Sequence, residues 1–218
     1  MNRIPVVAVS IGMATGIYAI SFGAIGVTAG LSILETMLLS LVMFSGASQF
    51  AFVGVIATGG MAAIPTAIAS AWLLGIRNGF YALRMAPVLG MPGIAKLLSA
   101  QLTIDESTAV ATAQSTPSGE RRGFWWTGIS VFIFWNLLTL AGALLGDQIG
   151  DPANFGLDSA AAAAFLGLVW PRLSNNLYRL IGLSAFIVAI ATSAFVPAGI
   201  PVLLGAAVAA LIQYWGKR

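Results

Sequence analysis

Neither cysteine nor histidine occurs among the 218 residues. The first absence rules out disulfides, thiol chemistry and thiolate metal sites. The second removes the commonest metal ligand and the side chain most used to move protons near neutral pH. Charge is scarce as well, since Asp, Glu, Lys and Arg together make up only 8% of the chain. No Gly-x-x-x-x-Gly-Lys loop is present, so the chain is not an ATP-driven pump by itself. Without histidine no Ser/His/Asp set can be assembled, and neither enzymatic activity nor a cofactor is expected.

What is there is apolar. Hydrophobic residues make up 59% of the chain and the mean hydropathy is +0.95. A soluble domain of this size cannot hide that much apolar surface. The expected fold is all-α: a polytopic membrane helical bundle of about seven or eight transmembrane spans, at about 20 apolar residues per crossing. It forms one integral membrane transporter domain over residues 1–218. The net charge of +3 does not signal nucleic acid, because the basic residues are scattered at segment ends.

The expected spans are 5–29, 32–58, 61–77, 93–116, 123–146, 159–171, 177–195 and 199–215. The first apolar run is too long for a signal peptide and reads as a transmembrane helix. The fourth is the most polar, with Lys96, Gln101, Asp105, Glu106 and Gln114. It suits a helix inside the bundle better than one lying at the interface, because Leu97, Leu98, Leu102, Ile104 and Val110 need cover. With eight spans, Arg3, Arg121, Arg122, Arg172, Arg179, Lys217 and Arg218 fall on the cytoplasmic side with both termini. Glu35, Asp147, Asp151 and Asp158 fall on the other. Arg77, Arg84 and Lys96 fit neither count, and mark a membrane-embedded function or a broken helix.

Two places look alike. Gly30-Leu31-Ser32 and Gly156-Leu157-Asp158 each pair a glycine turn with an N-capping residue, and Ser32 with Glu35 has capping-box spacing. A break follows each, at Phe44 to Gln49 and at Trp170-Pro171. Interrupted segments in two halves point to a transporter binding site, although coincidence in a glycine- and alanine-rich chain gives the same pattern. Glycines four apart, at 12 and 16, 26 and 30, and 142 and 146, suit close helix packing.

The polar knot of the chain is Gly75-Ile76-Arg77-Asn78-Gly79-Phe80-Tyr81, with Arg84 just beyond and Asp105-Glu106 further on. A central Arg or Asp costs at least ~2.5–3.5 kcal/mol in a bilayer, so such residues serve a permeation path or an ion pair. Snorkelling to the headgroups is the competing account of Arg77 and Arg84. Asp105 and Glu106 point about 100° apart on a helix, so one can pair with an arginine while the other titrates. An interfacial acidic pair or a structural ion pair is the competing account.

The chain resembles the AzlC family, the large subunit of bacterial branched-chain amino acid exporters. The matching stretches are Phe44-Ser45-Gly46-Ala47-Ser48-Gln49-Phe50, Arg77 to Tyr81, Asp105-Glu106-Ser107, Trp135 to Gly142 and Gly156-Leu157-Asp158, in the family's order. The resemblance implies a two-component exporter, driven by the proton-motive force, in the bacterial inner membrane. Its partner would be a small AzlD-like membrane subunit. The implied substrates are leucine, isoleucine and valine, with methionine or other small apolar amino acids in some members. The family pattern Asn-x-Arg-His-x-x-Tyr is altered here to Gly75, Arg77, Asn78 and Tyr81, so the imidazole is gone.

A zwitterionic substrate needs donors for its carboxylate. Arg77 is one, with Asn78 and Tyr81 beside it in the motif. A helix break at Ser45, Gly46, Ser48 and Gln49 is the other, through free backbone amides at a half-helix start. A packed face of small residues is the alternative reading of those four. Asp105 and Glu106 are the candidates for proton coupling. A channel-like pore for a small solute, or a structural subunit of a two-component permease, are the other functions open to such a chain.

Overall fold

The computed structural model describes residues 4–149, 166, 169–170, 173–196 and 200–216. Its helices are α1 (Ile4–Thr28), α2 (Ile33–Val42), α3 (Gly46–Gly59), α4 (Ile64–Leu89), α5 (Gly93–Gln101), α6 (Asp105–Thr112), α7 (Pro117–Ile149), α8 (Asn176–Ser193) and α9 (Ile200–Trp215). No strand occurs among the described residues. Proline explains four of the starts: Pro5, Pro65, Pro117 and Pro201 stand first or second in their helices, where no N–H is needed and φ is already set. Ser32 and Glu35 start α2 as their spacing predicts: each side chain accepts from the other's backbone N–H, at 3.2 and 2.7 Å. Gly30, at φ 98°, makes the turn before them in a region closed to most residues.

Ile4–Thr28, Pro117–Gln148 and Asn176–Ser193 are long and apolar enough to cross a membrane. The all-α membrane bundle expected from composition is therefore present. Several expected boundaries move. The third span does not stop near Arg77. α4 runs on to Leu89 through Pro87, which puts Arg77 at the middle of a 26-residue helix rather than at its end. Gly90, left-handed at φ 57°, then ends it. The fourth span is not one helix but two, α5 and α6, parted by residues 102–104. Leu102, Ile104 and Val110 are buried as expected, whereas Leu97 and Leu98 face outward on α5. The span expected at 159–171 and the Gly156-Leu157-Asp158 turn lie outside the described residues, as do Arg3, Asp151, Arg172, Lys217 and Arg218.

The described residues carry a repeat of their own; the expected copy at Gly156 to Pro171 lies largely outside them. Helix starts recur 59 or 60 residues apart: Ile4 and Ile64, Ile33 and Gly93, Gly46 and Asp105. Each copy is a long helix followed by a broken one. Leu38-Leu39-Ser40 in α2 matches Leu97-Leu98-Ser99 in α5, and both half-helices end three residues before the next begins.

The core forms where α1 and α7 lie together over most of their length. Glycine makes this contact possible. A Cβ at Gly12 would come within 2.9 Å of the Ser130 carbonyl, and one at Gly146 within 3.0 Å of Ala24. At Gly23 and Gly142 it would run into the backbone of Thr139 and Ile20. The expected small-residue packing thus holds for Gly12, Gly16, Gly142 and Gly146, and for Gly26, which abuts Thr36 of α2, while Gly30 touches nothing. Gly142→Val should therefore destabilise the fold by at least the ~1–3 kcal/mol of an overpacked core. The check is the melting temperature of the detergent-solubilised protein. Gly79→Ala, with open space around position 79, should leave it nearly unchanged.

Candidate functional site

The first break spans residues 43–45 and ends at Ser45, the N-cap of α3. Gly46, Ser48 and Gln49, expected inside the break, form the first turn of α3 instead. Phe44, Ser45, Ser48 and Gln49 are all buried, so this irregular backbone lies inside the protein, where such backbone is tolerated. The Ser45 hydroxyl sits 3.2 Å from that of Ser48 and makes no cap bond, which leaves the start of α3 without a side-chain cap. Gln49 is wholly buried; its amide nitrogen donates to the Leu39 carbonyl at 3.2 Å and its Oε1 has no partner.

Aromatic rings wall this turn. Phe22, Phe50 and Trp135 meet with centroids 5.9 to 6.4 Å apart, and Phe44 stands edge-on to Phe132 at 5.0 Å. A Cβ at position 46 would lie 2.9 Å from Trp135 Cη2, so the ring requires glycine there. Trp135 Nε1 and Asn136 Oδ1 are buried without partners.

The second break, residues 102–104, is held by hydroxyls. Ser107 Oγ accepts from the Ile104 N–H at 3.1 Å and donates to the Leu102 carbonyl at 2.6 Å, while Thr103 Oγ1 donates to the Ser99 carbonyl at 2.7 Å. Ser107 and Thr108 stand in α6 where Ser48 and Gln49 stand in α3. Thr108, like Gln49, is buried and carries an unpartnered oxygen. Gln101, the last residue of α5, ties the breaks together: its Nε2 donates to the Leu41 and Val42 carbonyls that end α2, at 2.7 and 3.2 Å.

α4 brings the polar knot to these breaks. Gly75 faces α3, with Ser48 Oγ 3.4 Å from where its Cβ would be. Arg77 turns to α6, where Nη1 bonds Asp105 Oδ2 at 2.8 Å. The two side chains are 29% and 28% exposed. Arg77 Nε and Asn78 Oδ1 are buried without partners, and Tyr81 lies one turn past Arg77, half-buried. Glu106 is half-buried and forms no ion pair among the described residues, but lies close enough to Asp105 and Arg77 to feel both charges. The structure thus joins Arg77 to Asp105 and Gly75 to Ser48; it shows no hydrogen bond from Arg77 to Ser45, Ser48 or Gln49. Arg84 is a different case. It is half exposed, pairs with Glu120 at 2.9 Å, and with Arg121, which donates to the Val88 carbonyl, ties the end of α4 to the start of α7.

Sequence reasoning did not single out Gln101 or Thr108 as parts of the site. Their signal was the 59-residue repeat, which becomes visible only once the helix ends are known.

Helices broken inside a bundle, next to a charged pair at mid-helix, are how membrane transport proteins build their sites. The sequence comparison agrees: residues 10–149 match the AzlC protein family, and the chain belongs to that family. The match takes in both breaks, Arg77 and Asp105. The family is associated with membrane transport, which is consistent with a role other than catalysis. No curated protein and no solved structure matches the chain.

Proposed function

We propose that the protein is the large subunit of a two-component secondary exporter of branched-chain and other small apolar amino acids. It works in the bacterial inner membrane with a small AzlD-like membrane subunit and draws on the proton-motive force. The bundle has eight spans, an even number that leaves both termini in the cytoplasm. The observation that carries this reading is the Arg77–Asp105 pair at the middle of α4, beside two broken helices. An arginine there offers a flat fork of donors to a carboxylate. The uncapped start of α3 offers backbone N–H groups to the same kind of anion, and the aromatic wall of Phe22, Phe50 and Trp135 offers an apolar surface to a branched side chain.

Cells loaded with a leucine-containing dipeptide, expressing this chain alone or with its small partner, give the test. Leucine, isoleucine and valine efflux should rise with the pair. Efflux of all three at the empty-vector rate when both subunits reach the membrane would sink the proposal.

A further inference from the structure

We infer that the Arg77–Asp105 ion pair is the receptor for both charges of an amino-acid zwitterion: it opens on binding, so that Arg77 takes the ligand's carboxylate and Asp105 its ammonium. This rests on the amino-acid reading above and adds how the charged end of the substrate is recognised.

The pair is built loosely enough to open. Of Arg77's nitrogens only Nη1 is bonded, at 2.8 Å to one oxygen of Asp105, rather than in the two-bond fork that arginine and carboxylate make when locked together. Both side chains keep more than a quarter of their surface accessible. Unused polar atoms adjoin the pair. Arg77 Nε is a buried donor without an acceptor, and Asn78 Oδ1 is a buried acceptor without a donor. Thr108 Oγ1, one helical turn past Asp105, is also buried and unpartnered. Orphaned atoms of this kind are rare in a folded interior and need a reason. A zwitterion supplies one, because it brings acceptors to Arg77 and donors to Asp105 and to Thr108 on the same face of α6.

Charge conservation then sets specificity. Inserting a zwitterion turns one ion pair into two and brings no net charge into the bundle. A 2-oxo acid would bind Arg77 but strand Asp105, and an amine would bind Asp105 but strand Arg77. A stranded charge in a place of low dielectric is strongly disfavoured. The site therefore selects molecules that carry both charges, before any reading of the side chain.

The test uses the full chain together with its small partner in lipid nanodiscs, with three labelled probes of like shape: leucine, 4-methyl-2-oxopentanoate and 3-methylbutylamine. The parent should bind leucine at least roughly tenfold more tightly than either single-charge probe. In Asp105→Asn, leucine should weaken and the oxo acid should gain, so that their ratio falls to near one. In Arg77→Gln the amine should gain in the same way. A pair with only a structural role would weaken all three probes together and leave their ratios as in the parent, and that result overturns the inference. So does a parent that binds the oxo acid or the amine as tightly as leucine, which needs no variant at all. If the parent ignores leucine but binds another zwitterionic amino acid with the same switch in the variants, the branched-chain reading fails and this inference stands. If no zwitterion binds, both fall.

Discussion

Arg77→Ala should cut leucine export by on the order of 100-fold, since hydrogen bonds to a charged group contribute ~1.5–3 kcal/mol each and a tenfold change in rate corresponds to about 1.4 kcal/mol. Two losses combine in this variant. The substrate carboxylate loses its fork of donors, and Asp105 loses the cation that holds it at 2.8 Å. Arg77→Lys separates them. Lysine keeps a positive charge for Asp105 but presents a compact ammonium in place of the planar fork, so the fold should survive while export stays poor. Gly75 and Asn78 are not equivalent to Arg77 here. Gly75 faces Ser48 on α3, so a larger residue there presses on the first turn of that helix. The measurement is leucine efflux normalised to the amount of each variant in the membrane. Export by Arg77→Ala at the parental rate would remove Arg77 from the site.

Much of this arrangement was legible in the chain because it is local. Ser32 and Glu35 fix the start of α2 within one turn, and the glycine and small polar residues after Phe44 mark where the first break falls, though most of them turn out to open α3. The second break was not legible. Leu102-Thr103-Ile104 contains neither glycine nor proline, and the chain leaves the helix there because Ser107 and Thr103 take up the backbone groups. Periodicity and composition see side chains as apolar or polar and do not see that competition. The position of Arg77 was misjudged for a related reason. Two arginines and Pro87 look like the end of a span, yet α4 continues because Asp105 and Glu120 receive the arginines at separate levels and Gly90 supplies the real stop. The partner of Arg77 stands 28 residues away, and adjacency in sequence left Asp105 and Glu106 equally eligible. The exposed Leu97 and Leu98 on α5 show the limit of a cover argument: in a membrane protein an apolar side chain is content with lipid.

Coupling to the proton gradient should run through Glu106, and Glu106→Gln should abolish it while sparing exchange. With no histidine in the chain, a carboxyl group is the remaining side chain suited to the task, and the two candidates differ in their partners. Asp105 is engaged with Arg77, at 2.8 Å. Glu106 is half-buried on the same short helix and forms no ion pair among the described residues. A carboxyl group that is not engaged in an ion pair is the one available to take up and release a proton. Glutamine keeps its shape and cannot titrate. In vesicles loaded with leucine, a gradient of one pH unit per coupled proton should drive the parent toward about a tenfold leucine gradient, since one unit is worth 1.36 kcal/mol. Glu106→Gln should reach none, yet should still swap internal for external labelled leucine, because Arg77 and Asp105 are untouched. Asp105→Asn should show the opposite bias, with exchange itself impaired. If Glu106→Gln follows the pH gradient as the parent does, the coupling proton is not carried at this position.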